Sequence, residues 1–177
     1  VSIVSRGMAG GVTWSLPEED KHLHSIADFR DDLAMSLGGR TAEKVVFGDD
    51  SITTGAESDL KHANGLARRM VTEYGMSAQL NNRYFGDSES SIFLGRSMGE
   101  GRSYSEEMAA KIDDEVAKLI DEASKKAQEV IVKNRNQLDL IANTLIEKET
   151  LEGPEFEKLF APIDKQVTAE RKAKPAK

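Results

Sequence analysis

The sequence predicts a mainly α-helical fold, with one short N-terminal β-hairpin and a C-terminal helical bundle. Three observations lead there. Apolar residues recur at three- and four-residue spacing through most of the 177 residues. Strand-like alternation is confined to the first sixteen residues or so. Aromatic residues make up 6% and charged residues 31%, which suits a helical chain with many solvated faces.

Val1-Ser2-Ile3-Val4-Ser5-Arg6 alternates as a strand does, and residues 7–11 form a glycine-rich turn. Gly11-Val12-Thr13-Trp14-Ser15-Leu16 alternates again and stops at Pro17. An isolated hairpin is marginal, so this one needs helices to pack on. From Ile26 the period turns helical, through Phe29, Leu33, Leu37, Ala42, Val45 and Val46 to Phe47-Gly48. Gly38-Gly39 interrupts it, each glycine costing about 1 kcal/mol relative to Ala, which suggests close approach by another element. Thr54-Gly55-Ala56-Glu57 fits a capping box, with Thr54 capping and Glu57 reaching back. The helix behind it carries Leu60, Ala63, Leu66, Ala67, Met70, Val71 and Tyr74 and stops at Gly75. Residues 76–104 are rich in Gly, Ser and Asn and predict a long irregular loop. Ser105 caps the longest helix, whose stripe runs from Met108 through Ile112, Val116, Leu119 and Ala123 to Ile131. Asn134-Arg135-Asn136 breaks it. A second helix carries Leu138, Ile141, Leu145 and Ile146, and a third starts at Gly153-Pro154. Short connections make these antiparallel neighbours. The chain thus divides at 1–104, 105–162 and a basic tail, 163–177, expected to be disordered.

The net charge is −7, from 24 basic and 31 acidic residues, so no basic footprint marks a nucleic-acid binder. The absence of cysteine excludes disulfides and Cys-based zinc sites, and fits a reducing compartment. No apolar run is long enough to cross a membrane, and no signal peptide is visible. No Gly-x-x-x-x-Gly-Lys-Ser/Thr phosphate loop is present.

Asp59 is the foremost candidate for chemistry. It sits about one turn into the capped helix, in register with Ala63, Leu66 and Met70, so it borders the apolar face. A carboxylate there needs a cation, hydrogen bonds or a metal. The competing reading is an acid that favours a helix N-terminus. His22, His24 and His62 are the only histidines, and no pair has the i, i+4 spacing of a helical zinc site. They read as surface residues.

Longer motifs carry a resemblance. Ile3-Val4-Ser5-Arg6-Gly7 with Gly11-Val12-Thr13-Trp14-Ser15-Leu16-Pro17 resembles the hairpin of FtsH-type, ATP-dependent zinc metalloproteases. So do Gly38-Gly39-Arg40-Thr41-Ala42-Glu43, Thr53-Thr54-Gly55-Ala56-Glu57-Ser58-Asp59-Leu60 and Met70-Val71-Thr72-Glu73-Tyr74-Gly75-Met76-Ser77. Phe93-Leu94-Gly95-Arg96, Ile112-Asp113-Asp114-Glu115-Val116 and Leu145-Ile146-Glu147-Lys148 continue it in order, over about 160 residues.

The resemblance implies a helical fragment of a zinc-peptidase domain, in a parent where a hexameric AAA+ ring feeds unfolded or membrane proteins to the protease. In such enzymes two histidines of a His-Glu-x-x-His helix bind zinc, and the acid of the Thr-Gly-Ala-x-x-Asp motif is the third ligand. That role falls on Asp59. Glu43 becomes a candidate to orient a zinc histidine, against the simpler reading of a helix salt bridge. Gly11, Val12, Thr13 and Trp14 match the strand that aligns substrate, against a plain structural hairpin. These 177 residues contain no His-Glu-x-x-His, so the zinc site is expected to be incomplete in this chain. ATP and magnesium are expected only in an ATPase domain outside it. The resemblance also implies the cytoplasmic face of the bacterial inner membrane, reached through an N-terminal segment outside this chain. A non-catalytic helical assembly module of the ring is the alternative. The chain departs from the family's pattern at Leu80-Asn81-Asn82, where Leu-Gly-Pro is common, at Ser5 for a frequent Pro and at Lys44 for a frequent Glu.

Overall fold

The computed structural model describes residues 1–5, 13, 23–80, 82–86 and 104–159. Its helices are α1 (Ile26–Ser36), α2 (Gly38–Phe47), α3 (Glu57–Thr72), α4 (Glu106–Lys133), α5 (Arg135–Lys148) and α6 (153–159). Two 3₁₀ turns, Asp49–Ser51 and Thr54–Ala56, lie between α2 and α3. The chain falls into two compact units, Lys21–Val132 and Val1–Asp20 with Lys133–Lys177. The mainly helical expectation holds.

In the Lys21–Val132 unit, α1 begins at a reciprocal cap. The Ser25 hydroxyl accepts from the Asp28 amide at 3.2 Å, and the Asp28 carboxylate accepts from the Ser25 amide at 2.8 Å. Leu37 closes α1 and opens α2, so the helical run breaks next to the glycine pair. The close approach expected at Gly38 and Gly39 is not seen among the described residues. Among the described residues, a Cβ at either position would meet nothing within 4 Å. The glycines weaken the helix at the joint, and among the described residues no packing demand is visible for them. Thr41 is buried and donates its hydroxyl to the Leu37 carbonyl at 2.7 Å.

The core of this unit draws on α1, α3, α4 and Leu80. Leu33, Met70, Val71 and Ile112 are wholly buried, each contributing about 2 kcal/mol relative to exposure. On α3 the buried Ala63, Leu66, Ala67 and Met70 recur at three- and four-residue spacing and so form one face. Three ion pairs rim it, Arg68–Asp113 at 3.2 Å, Arg30–Glu122 at 3.6 Å and Lys126–Asp31. Gly75, at φ +63°, ends the turn after α3, and the Met76 amide donates back to the Met70 carbonyl at 2.8 Å. Residues 76–80 and 82–86 are irregular, in keeping with the predicted loop. Phe85 packs edge-on against Tyr104 at 5.8 Å.

In the other unit, the first residues pair with the chain that follows α5. Val1 and Leu151 exchange two hydrogen bonds of 2.8 Å, and the Ile3 amide donates to Glu149 at 2.9 Å. The bridge joins Ser2 and Thr150 in antiparallel sense. The expected partner was the strand at 11–16. That segment lies outside the described residues, except for Thr13, which is exposed. Among the described residues this bridge is the only β pairing. Glu149 closes α5 in the left-handed region, at φ +61°. The tail at 163–177 also lies outside the described residues.

Candidate functional site

The candidate site is built at the start of α3. Thr53 is extended, and its hydroxyl accepts from the Gly55 amide at 3.2 Å. The chain then makes the 3₁₀ turn Thr54–Ala56 and enters α3 at Glu57. Ala56 precedes the helix with no side-chain cap and is buried. The capping box predicted for Thr54 and Glu57 is therefore not formed. Thr53 caps one residue earlier, because the 3₁₀ turn already occupies the first amides. Glu57 turns instead to Lys61, at 2.6 Å on the exposed face.

Asp59 stands on the first turn of α3, exposed to solvent. Its helix is pinned from below by Ala63, Leu66 and Met70, all buried. The side chain thus projects from a rigid element at a helix end that favours negative charge. Among the described residues no hydrogen bond or ion pair engages its carboxylate. As donor chemistry, it can supply one oxygen to a zinc ion. The described residues contain no group of three His, Cys, Asp or Glu able to hold a metal. His62, three residues on, is exposed; His24 lies against the Phe29 ring at 5.4 Å; His22 lies outside the described residues.

Glu43, on α2, reaches Thr53, in the segment that leads into α3. Oε1 accepts from the Thr53 hydroxyl at 2.6 Å and Oε2 from the Thr53 amide at 3.2 Å. These two hydrogen bonds hold the Glu43 carboxyl below its ordinary value, against an opposing effect of burial and with the charge of Arg40 as the least contribution. Of the four proposed substrate-aligning residues, only Thr13 lies within the described residues.

A polar pair beyond the other end of α3 was not anticipated. Glu115 is buried in α4 and accepts from the Ser77 hydroxyl at 2.7 Å. Ser77 in turn accepts from the Leu80 amide at 3.0 Å and the Gln79 amide at 3.2 Å. Lys118 lies 3.9 Å from the outer oxygen of Glu115. The sequence carried a signal for it: Glu115 lies three residues after Ile112 and four before Leu119, on the buried stripe.

The sequence profile of Peptidase family M41 matches residues 1–159, and the chain belongs to that family. It is 49% identical over 160 residues to the ATP-dependent zinc metalloprotease FtsH 1 of Thermoanaerobacter sp. (strain X514), covering 90% of this chain and 26% of that protein. It is 49% identical over 161 residues to the ATP-dependent zinc metalloprotease FtsH of Chloroflexus aggregans, covering 90% of this chain and 24% of that protein. Identity to the Caldicellulosiruptor bescii protein of the same name is 50% over 159 residues. The chain thus spans about a quarter of the length of the curated relatives it matches. No helix among the described residues is long and apolar enough to cross a membrane.

Proposed function

We propose that this chain is part of an ATP-dependent zinc metalloendopeptidase that degrades unfolded and membrane proteins, and that Asp59 is its third zinc ligand. The observation that carries this is the Asp59 carboxylate, exposed and without a partner among the described residues, on a helix fixed by its buried face. Two further ligands would come from a His-Glu-x-x-His helix, a motif these 177 residues do not contain. Zinc, when bound, activates a water for attack on a peptide carbonyl. What this chain supplies is a negative charge at a fixed place. It would also supply an edge strand, Gly11, Val12, Thr13 and Trp14, whose main-chain groups align an extended substrate regardless of its sequence. The competing role for Glu43 is to accept from the ring N–H of a zinc histidine with a lone pair that Thr53 leaves open. ATP and magnesium belong to an ATPase domain outside this chain, in a homo-hexameric parent at the cytoplasmic face of the bacterial inner membrane.

The test is Asp59→Asn in a protein that carries the His-Glu-x-x-His helix. Asparagine keeps the shape and removes the charge, so zinc affinity should fall about 100-fold or more and casein cleavage should collapse. ATP hydrolysis should persist. Casein cleavage at the normal rate would show that Asp59 is not the third ligand, and Glu43 would be the next residue to mutate.

A further inference from the structure

We infer that Glu43 and Thr53 form a clamp that positions Asp59, so that Glu43 serves the metal site through Thr53. This rests on Asp59 being a zinc ligand. The hydrogen bonds form one continuous chain from α2 to the first residues before α3. Both carboxylate oxygens of Glu43 close on a single residue, at 2.6 and 3.2 Å, which fixes the orientation of Thr53. The Thr53 hydroxyl donates to Glu43 and accepts from the Gly55 amide at 3.2 Å. Gly55 lies in the 3₁₀ turn that leads into α3, four residues before Asp59.

Two other observations make this more than a surface hydrogen bond. A Cβ at Gly55 would stand 3.3 Å from the Thr53 hydroxyl oxygen, so the turn leaves little room beside the clamp. Ala56, which stands just before α3, supplies no side-chain cap. The start of α3 is therefore oriented by the burial of Ala56 and by a carboxylate ten residues ahead of Thr53. If the turn slackens, the first turn of α3 frays, and Asp59 lies on that turn. A ligand that must be ordered on binding holds its metal less tightly, because the ordering costs entropy at that moment.

The test uses Thr53→Val, Thr53→Ser, Glu43→Gln and the Thr53→Val/Glu43→Gln double variant. In the 177-residue chain, amide exchange at Gly55 and at residues 57–59 is followed by NMR. In the His-Glu-x-x-His-containing protein, affinity for zinc alone is measured by chelator competition. Thr53→Val and Glu43→Gln should each speed Gly55 exchange and weaken zinc about 10-fold. The double variant should be no worse than the weaker single, and Thr53→Ser should match the parent. Thr53→Val binding zinc like the parent, or losses that add in the double variant, would overturn the clamp; the second result would mean Glu43 acts on a histidine independently of Thr53. If Asp59→Asn keeps its zinc, the ligand assignment fails, and Gly55 exchange alone then decides the clamp: unchanged exchange in Thr53→Val overturns it. Thermal unfolding of every variant checks that the core is intact.

Discussion

At the scale of single residues, the backbone singles out two positions with opposite expectations. Gly75 and Glu149 both end helices in the left-handed region, at φ +63° and +61°. There a Cβ crowds the following carbonyl, at about 1–2 kcal/mol. Gly75 avoids that cost, and Gly75→Ala should destabilise the chain by about 1 kcal/mol even though a Cβ would meet only Asn82, at 3.7 Å. Glu149 bears the cost because its carbonyl accepts from Ile3 and its amide donates to Leu145. Glu149→Gly should therefore stabilise, by less than 1 kcal/mol once the flexibility of glycine in the unfolded chain is set against it. Urea unfolding of the two variants decides this, and the same sign of change in both would refute it. Only the first was legible from residue type: glycine at 75 announces a stop, whereas glutamate at 149 announces nothing. The same limit explains Thr53 and Thr54. Both threonines suit a cap; the 3₁₀ turn at Thr54–Ala56 leaves the role to Thr53, which Glu43, ten residues away on another helix, holds in place. The place of Asp59 in the first turn of α3 was legible because the motif is local, but its exposure was not, since helical register placed it only at the border of the apolar face.

At the scale of elements, α1 to α4 followed from apolar periodicity, because that pattern is read within a dozen residues. The pairing of Ser2 with Thr150 was not legible, because alternation shows a strand but not its partner. The latch between α4 and the turn after α3 makes an element-scale prediction. Glu115 is buried, and a buried carboxylate must keep its hydrogen bonds. Ser77→Ala removes its donor and, with it, the acceptor for the Gln79 and Leu80 amides. The expected loss is about 1–3 kcal/mol. Ser77→Thr should retain most of that stability. Replacing both partners, by Ser77→Ala with Glu115→Gln, should cost less than the sum of the two single changes. Additive losses, measured by denaturant unfolding of all four proteins, would show that the two side chains act separately.

At the scale of the whole molecule, one prediction joins the sequence to the site. The chain has three histidines and no cysteine, and a zinc centre of the catalytic kind takes three protein ligands. Asp59 supplies one. His62 shares its helix but lies three residues away rather than four, and the described residues gather no third group beside them. Zinc affinity grows with the number of ligands held in place before the metal arrives, since each ligand ordered on binding subtracts from it. One carboxylate on a rigid helix gives a weak site, whatever its orientation. The 177-residue chain should therefore lose its zinc on dialysis against metal-free buffer, and its unfolding midpoint should not rise with added zinc. Joined to a His-Glu-x-x-His helix, the same chain should retain one zinc per protomer and lose it again on Asp59→Asn. Stoichiometric zinc retained by the 177-residue chain, and released by His22→Ala with His24→Ala, would place the metal at the N-terminal histidines instead. In that event α3 would be a structural helix, and its first-turn acid would be there for the helix end alone.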